Sequence, residues 1–135
     1  GIEAEWVDED HPRTRQVCQG VSVHPATGEK VWMNQAHLFN VLAQDPEVVE
    51  MLMEDGEENL PRNTYFGDGS PITAEELQAI RDAYDAEALV FPWEKGDVLL
   101  LDNMLVAHAR SPFTGPRRVV VGMAQTHTSD WTPAA

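Results

Sequence analysis

Four side chains toward the C-terminal end of the chain have types and spacing that suit chemistry. His108 stands near the end of the apolar run Val98-Leu99-Leu100-Leu101-Asp102-Asn103-Met104-Leu105-Val106-Ala107, and Arg110 follows two residues later. Arg117 and Arg118 come next, just after Gly115-Pro116. A neutral imidazole ligates metals, and a guanidinium grips a carboxylate through a fork of two hydrogen bonds. Placed one strand apart, these abilities suggest a metal and an acidic co-substrate side by side.

Each residue also has a plainer reading. By position alone His108 suits a core histidine whose nitrogens are satisfied by backbone. Arg117 and Arg118 point to opposite faces if both lie in a strand. Arg118 then shares a face with Val120, Gly122 and Ala124. Gly122 and Ala124 leave room for a ligand that Val121 and Met123 would fill, so Arg118 is expected to face inward and Arg117 outward. A surface arginine pair on an acidic protein is the competing reading. His24 precedes a proline in a turn and reads as a surface or hinge residue. His37, early in a helix, is open to either role, and His11 and His127 fall in weakly structured ends.

A mononuclear iron site takes two histidines and one carboxylate on one face of the metal. None of the histidines is followed two residues on by Asp or Glu. CxxC, HExxH, GxSxG and Gly-rich phosphate loops are absent as well. By itself the chain assembles none of these familiar sites.

The elements that must position these residues follow from periodicity and turn chemistry. Residues 1–13 read as acidic and irregular, with Trp6 their one large anchor. Thr14 to Val23 alternates, with Val17, Gln19, Val21 and Val23 on one face, and reads as a strand. His24 to Glu29 is a turn in which Gly28 can supply positive φ, and Lys30 to Asn34 returns as a second strand. Gln35 to Gln44 has a helical period with Asn34 placed to cap it. Asp45 is expected to cap a second helix with Pro46 at its first position. Thr73-Ala74-Glu75-Glu76 has the capping-box form and starts a third helix with Leu77, Ile80, Ala83 and Tyr84 on one face. Glu94 to Asp97 is a turn. Further strands are expected near Glu87–Pro92, at Val98–Leu101, at Met104–Ala109 and at Arg118–Gln125. Strands at both ends with helices between them predict an α+β fold on a sandwich or jelly-roll core.

Composition narrows the class. The chain has 135 residues, 42% of them hydrophobic, enough for a single domain, 1–135, with a core of its own. Nine Lys and Arg against 23 Asp and Glu leave a net charge of −14. Such a surface repels phosphate backbones and anionic lipid, so neither nucleic acid nor membrane is an expected partner. The arginines at 110, 117 and 118 are then a local positive spot where a small anion could be held. No apolar run approaches the roughly 20 residues of a bilayer span. The first residues lack the basic and apolar regions of a signal peptide. The single cysteine, Cys18, can form no internal disulfide. Together these features point to a cytoplasmic setting.

The words of the sequence say more than its spacing. His24-Pro25-x-Thr27-Gly28-Glu29-x-Val31-Trp32-x-Asn34-Gln35-Ala36-His37-Leu38-Phe39 is followed by Gly67-Asp68-Gly69-Ser70. Later come Trp93-x-x-Gly96-Asp97-Val98-Leu99-Leu100-Leu101-Asp102-Asn103, then His108-x-Arg110-x-Pro112-Phe113-x-Gly115-x-Arg117-Arg118. From about Trp6 to about Gln125 this resembles the TauD/TfdA family of Fe(II)- and 2-oxoglutarate-dependent dioxygenases, in its SyrP-like and clavaminate-synthase-like branch. The resemblance implies a double-stranded β-helix (jelly-roll) core with inserted helices, of which this chain matches the C-terminal half. It implies His108 as the distal iron ligand and Arg118, or else Arg117, as the arginine that binds the far carboxylate of 2-oxoglutarate. Arg110 and Asn34 match family motif positions too, as substrate-side or structural residues. The family's proximal His-x-Asp/Glu lies upstream of the matched part, so two iron ligands are expected from a missing N-terminal half of the domain. The implied activity is hydroxylation of an amino acid, free or tethered to a carrier protein, in specialised-metabolite biosynthesis. The alternative is a non-catalytic β-fold interaction module that keeps part of the scaffold.

Overall fold

The structure is a computed structural model that describes residues 1–128 and 130–132. The chain divides into two compact units, Gly1–Met33 with the chain from Leu99 onward, and Asn34–Val98.

In the first unit the opening residues form a hairpin, where an irregular lead is expected. β1 (Ile2–Trp6) pairs antiparallel with β2 (Pro12–Gln16). The register sets Glu3 opposite Arg15 and Glu5 opposite Arg13, cross-strand pairs of opposite charge that favour this alignment. Asp8 closes the loop: its Oδ1 accepts from the backbone N–H of Asp10 at 2.9 Å and of His11 at 3.0 Å. The long strand expected over Thr14–Val23 is therefore divided. β2 pairs backward, whereas β3 (Val21–Val23) pairs forward with β4 (Lys30–Trp32), so the chain leaves one ladder to join the other. The buried face is not the valine face of the alternation. Ser22 and Val31 are buried, whereas Val21 and Val23 are exposed.

From Leu99 onward the expected strands do not form among the described residues. Val98–Leu101, Met104–Ala109 and Arg118–Gln125 stand outside any ladder, and so does the stretch near Glu87–Pro92. Leu100 is 94% and Met123 90% exposed. An apolar, β-branched run sets a propensity, but a strand exists only where a neighbour takes its N–H and C=O groups. No described segment of the chain does so here.

The second unit holds the helices. The helix expected over Gln35–Gln44 stops early. α1 (Ala36–Phe39) ends at Asn40, and a 3-10 turn at Val41–Ala43 follows. Asn40 is buried and extended at ψ 142°. Its Nδ2 donates to the carbonyl of Thr64 at 3.0 Å and its Oδ1 accepts from the N–H of Leu42 at 3.0 Å. A side chain this engaged holds the backbone off the helix. α2 (Pro46–Met53) starts with Pro46 at its first turn, as expected, but the Asp45 side chain makes no capping bond. α3 (Ala74–Ala86) carries the expected capping box: Glu76 N–H donates to Thr73 Oγ1 at 3.2 Å, and Thr73 N–H donates to Glu76 Oε2 at 2.8 Å. On its inner face Leu77 is completely buried and Ile80 and Tyr84 are half-buried, while Ala83 stays exposed. Among the described residues the buried apolar side chains here are Val41, Ile72 and Leu77. The Glu94–Asp97 turn is present, closed by Asp97 N–H donating to the Glu94 carbonyl at 3.2 Å, with Gly96 at φ 101°.

Candidate functional site

The β3–β4 turn is built around His24. Its backbone N–H donates to the Glu29 carbonyl at 2.8 Å, and Gly28, at φ 75°, donates back to the His24 carbonyl at 2.9 Å. The imidazole folds over the turn, where its Nδ1 accepts from the backbone N–H of Ala26 at 3.3 Å and of Thr27 at 3.1 Å. With Nδ1 an acceptor, the ring proton sits on Nε2. Nε2 donates to Asp102 Oδ2 at 3.0 Å. His24 is only 5% exposed, so it is no surface residue, as its place in a turn suggests, but a buried link.

Asp102 is the other half of that link. Its Oδ1 accepts from the N–H of Met104 at 3.0 Å, and its carbonyl accepts from Leu105 at 3.1 Å and Val106 at 3.0 Å. The Met104 N–H, and after it the His24 ring, hold the carboxyl below its ordinary value. Composition and spacing single out neither residue. The usable signal is local: a polar side chain just before a proline turn can bond backbone N–H groups two and three residues on, as Asx turns do.

His108, the expected metal ligand, is exposed. Among the described residues no three His, Cys, Asp or Glu side chains come together in a way that could hold a metal ion. His108 could therefore supply only one ligand of an iron site, and no step of a reaction follows from these residues through one. Arg110 and Arg117 are brought together on one ring: their Cζ atoms lie 4.5 and 5.0 Å from the centroid of Phe113. Arg118 is exposed. The strand that would set Arg117 and Arg118 on opposite faces does not form, so the structure groups these arginines by the shared phenyl ring and not by strand alternation.

In the second unit, Asn34 Oδ1 accepts from the Ala36 N–H at 2.9 Å, which steadies the entry to α1. His37 is buried against α3, stacked on Tyr84 with ring centroids 4.7 Å apart. Its Nδ1 has no hydrogen-bond partner. Burial, and then the Arg81 charge, push the imidazole below its ordinary value. Two hollows of about 180 and 150 Å³ adjoin Asn40 and Val41, and neither is lined by Asn34 or His37.

Comparison with known proteins covers all of these positions. Dapdiamide synthesis protein DdaC of Enterobacter agglomerans is 40% identical over 123 residues, 90% of this chain and 37% of its own length. A clavaminate synthase-like protein of Arabidopsis thaliana is 29% identical over 127 residues, 93% of this chain and 35% of its own. The chain thus spans little more than a third of the length of these curated relatives. No solved structure gives a significant match. The profile of the taurine catabolism dioxygenase TauD, TfdA family matches residues 3–124, and the chain belongs to that family.

Proposed function

We propose that this chain is the C-terminal portion of a single dioxygenase domain on a jelly-roll core, which uses Fe(II) and 2-oxoglutarate to hydroxylate its substrate. The observation that carries the reading is the family match over residues 3–124, which takes in Asn34, His108, Arg110, Arg117 and Arg118 together. His108 supplies one iron ligand, and the others come from residues this sequence does not contain. Arg118 binds the far carboxylate of 2-oxoglutarate. The engagement of Arg117 with Phe113 supports giving that role to its neighbour. Arg110 and Asn34 lie on the substrate side. DdaC, 40% identical, is named for dapdiamide synthesis, which favours an amino acid, free or carrier-tethered, in specialised metabolism. A cytoplasmic location goes with this reading. Among the described residues no helix is long and apolar enough to cross a membrane.

The test is succinate formation by the longest natural protein that carries this sequence, supplied with Fe(II), 2-oxoglutarate and oxygen. Succinate that depends on all three is the expected result. No succinate while iron is demonstrably bound overturns the reading and leaves the non-catalytic interaction module.

A further inference from the structure

Arg110-Ser111-Pro112-Phe113-Thr114-Gly115-Pro116-Arg117 is a short loop with little freedom. Pro112 and Pro116 each fix a φ, and Gly115 turns the chain at φ 86°. The loop delivers two guanidinium groups to one phenyl ring, with Cζ at 4.5 Å for Arg110 and 5.0 Å for Arg117. The ring attracts each cation through its quadrupole but supplies no counter-charge, so the two cations still repel each other.

The chain carries a net charge of −14, so carboxylates are plentiful. Even so, among the described residues neither Arg110 nor Arg117 has an ion-pair partner. Phe113 is 44% exposed, which leaves the assembly open to a ligand. Each guanidinium has its fork of N–H donors available in a geometry that suits an oxyanion. An anion with two or three oxygens would accept from both forks and turn a repulsive pair into an attractive one.

We propose that Arg110, Phe113 and Arg117 form an oxyanion clip that binds the carboxylate or phosphate ester of the substrate, separate from Arg118. That the anion belongs to the substrate rests on the dioxygenase reading; the clip itself does not. A free amino acid offers a carboxylate. An aminoacyl group tethered as a thioester has none, and its carrier arm offers a phosphate.

The experiment titrates the ¹⁵N-labelled longest natural protein that carries this sequence with inorganic phosphate and, separately, with acetate. The readout is the arginine side-chain Nε–H signals. Arg62, which lies 5.1 Å over Phe39 as a single cation on a ring, is the internal control. Arg110 and Arg117 are expected to shift together with one midpoint, at least about tenfold below that of Arg62. The Arg110→Gln variant is expected to raise the Arg117 midpoint by about the same factor, and Arg118→Ala to leave it unchanged. The tighter of the two anions identifies the source, phosphate for a carried substrate and acetate for a free one. Separate midpoints for Arg110 and Arg117, a midpoint shared with Arg62, or loss of the response in Arg118→Ala overturns the clip. An inactive parent with an intact clip counts against the dioxygenase reading alone. An active parent whose Arg110 and Arg117 titrate like Arg62 counts against the clip alone.

Discussion

His24 Nε2 donates to Asp102 Oδ2 at 3.0 Å across 78 residues of sequence. The bond ties the β3–β4 turn to the turn that leads toward His108, two stretches that both belong to the family match. Every nitrogen of the His24 ring is used, since Nδ1 accepts from two backbone N–H groups. His24→Leu removes these three bonds, whose other ends are open to water, and is expected to cost about 0.5–1.5 kcal/mol in chemical denaturation. Asp102→Asn keeps a single acceptor oxygen, so of the bonds from His24 Nε2 and the Met104 N–H one is kept and the other donor faces an amide NH2; it should cost less than His24→Leu, which loses three bonds. Equal costs for the two variants would show that the link does not depend on which atoms accept.

The acid limb of stability should also respond to Asp102. Its folded-state carboxyl lies below its ordinary value, held there first by the Met104 N–H and then by His24. A carboxyl depressed on folding contributes stability above its unfolded value, and the contribution is lost as pH falls through the folded one. Asp102→Asn should therefore flatten the stability profile below about pH 4. An unchanged profile in that range would refute the assignment.

His37 works through the opposite charge change. Burial and Arg81 lower the pKa of the imidazole, so the folded state prefers it neutral. The unfolded chain binds the extra proton first, and the stability from the neutral ring is lost as pH falls below the ordinary histidine value of about 6.5. His37→Phe keeps a ring against Tyr84 and removes the unpartnered Nδ1. It should cost little at pH 8 and reduce the loss of stability between about pH 7 and 5. A variant that loses stability as steeply as the parent chain would exclude His37 as the source.

Leu77 is the one fully buried large side chain among the described residues, and few others share its core. Leu77→Ala is expected to cost about 2–5 kcal/mol. Leu89→Ala, at a site 86% exposed, should stay within about 0.5 kcal/mol. Thr73→Ala breaks the capping box of α3 and should cost about 1 kcal/mol, with a matching loss of helical circular dichroism. A Leu77→Ala cost as small as that of Leu89→Ala would mean that this core does not hold the unit together.

In the longest natural protein that carries the sequence, His108→Ala should abolish iron-dependent turnover. Arg118→Ala should mainly raise the KM for 2-oxoglutarate, and steady-state kinetics separates the two effects. Turnover unchanged in both variants would refute both assignments.

What the sequence determined by itself was local. The Thr73–Glu76 capping box, the Gly28 and Gly96 turns and the helix over Ala74–Ala86 rest on bonds between residues a few positions apart, so a short window contains both partners. The family was legible for a related reason, because its marks are runs of residue types that need no folding to be read. Tertiary structure decided what depends on distant partners. Asn40 ends α1 because Thr64 lies within reach of its amide. β1 exists because Pro12–Gln16 comes back beside it and takes its backbone N–H and C=O groups. The run Val98–Leu101 has full strand character in sequence and no ladder in the structure, because pairing belongs to the neighbour and not to the run. His24 reads as a turn residue until Asp102, 78 positions away, arrives at its Nε2. Arg110 and Arg117 become a pair only when the loop between them closes on Phe113.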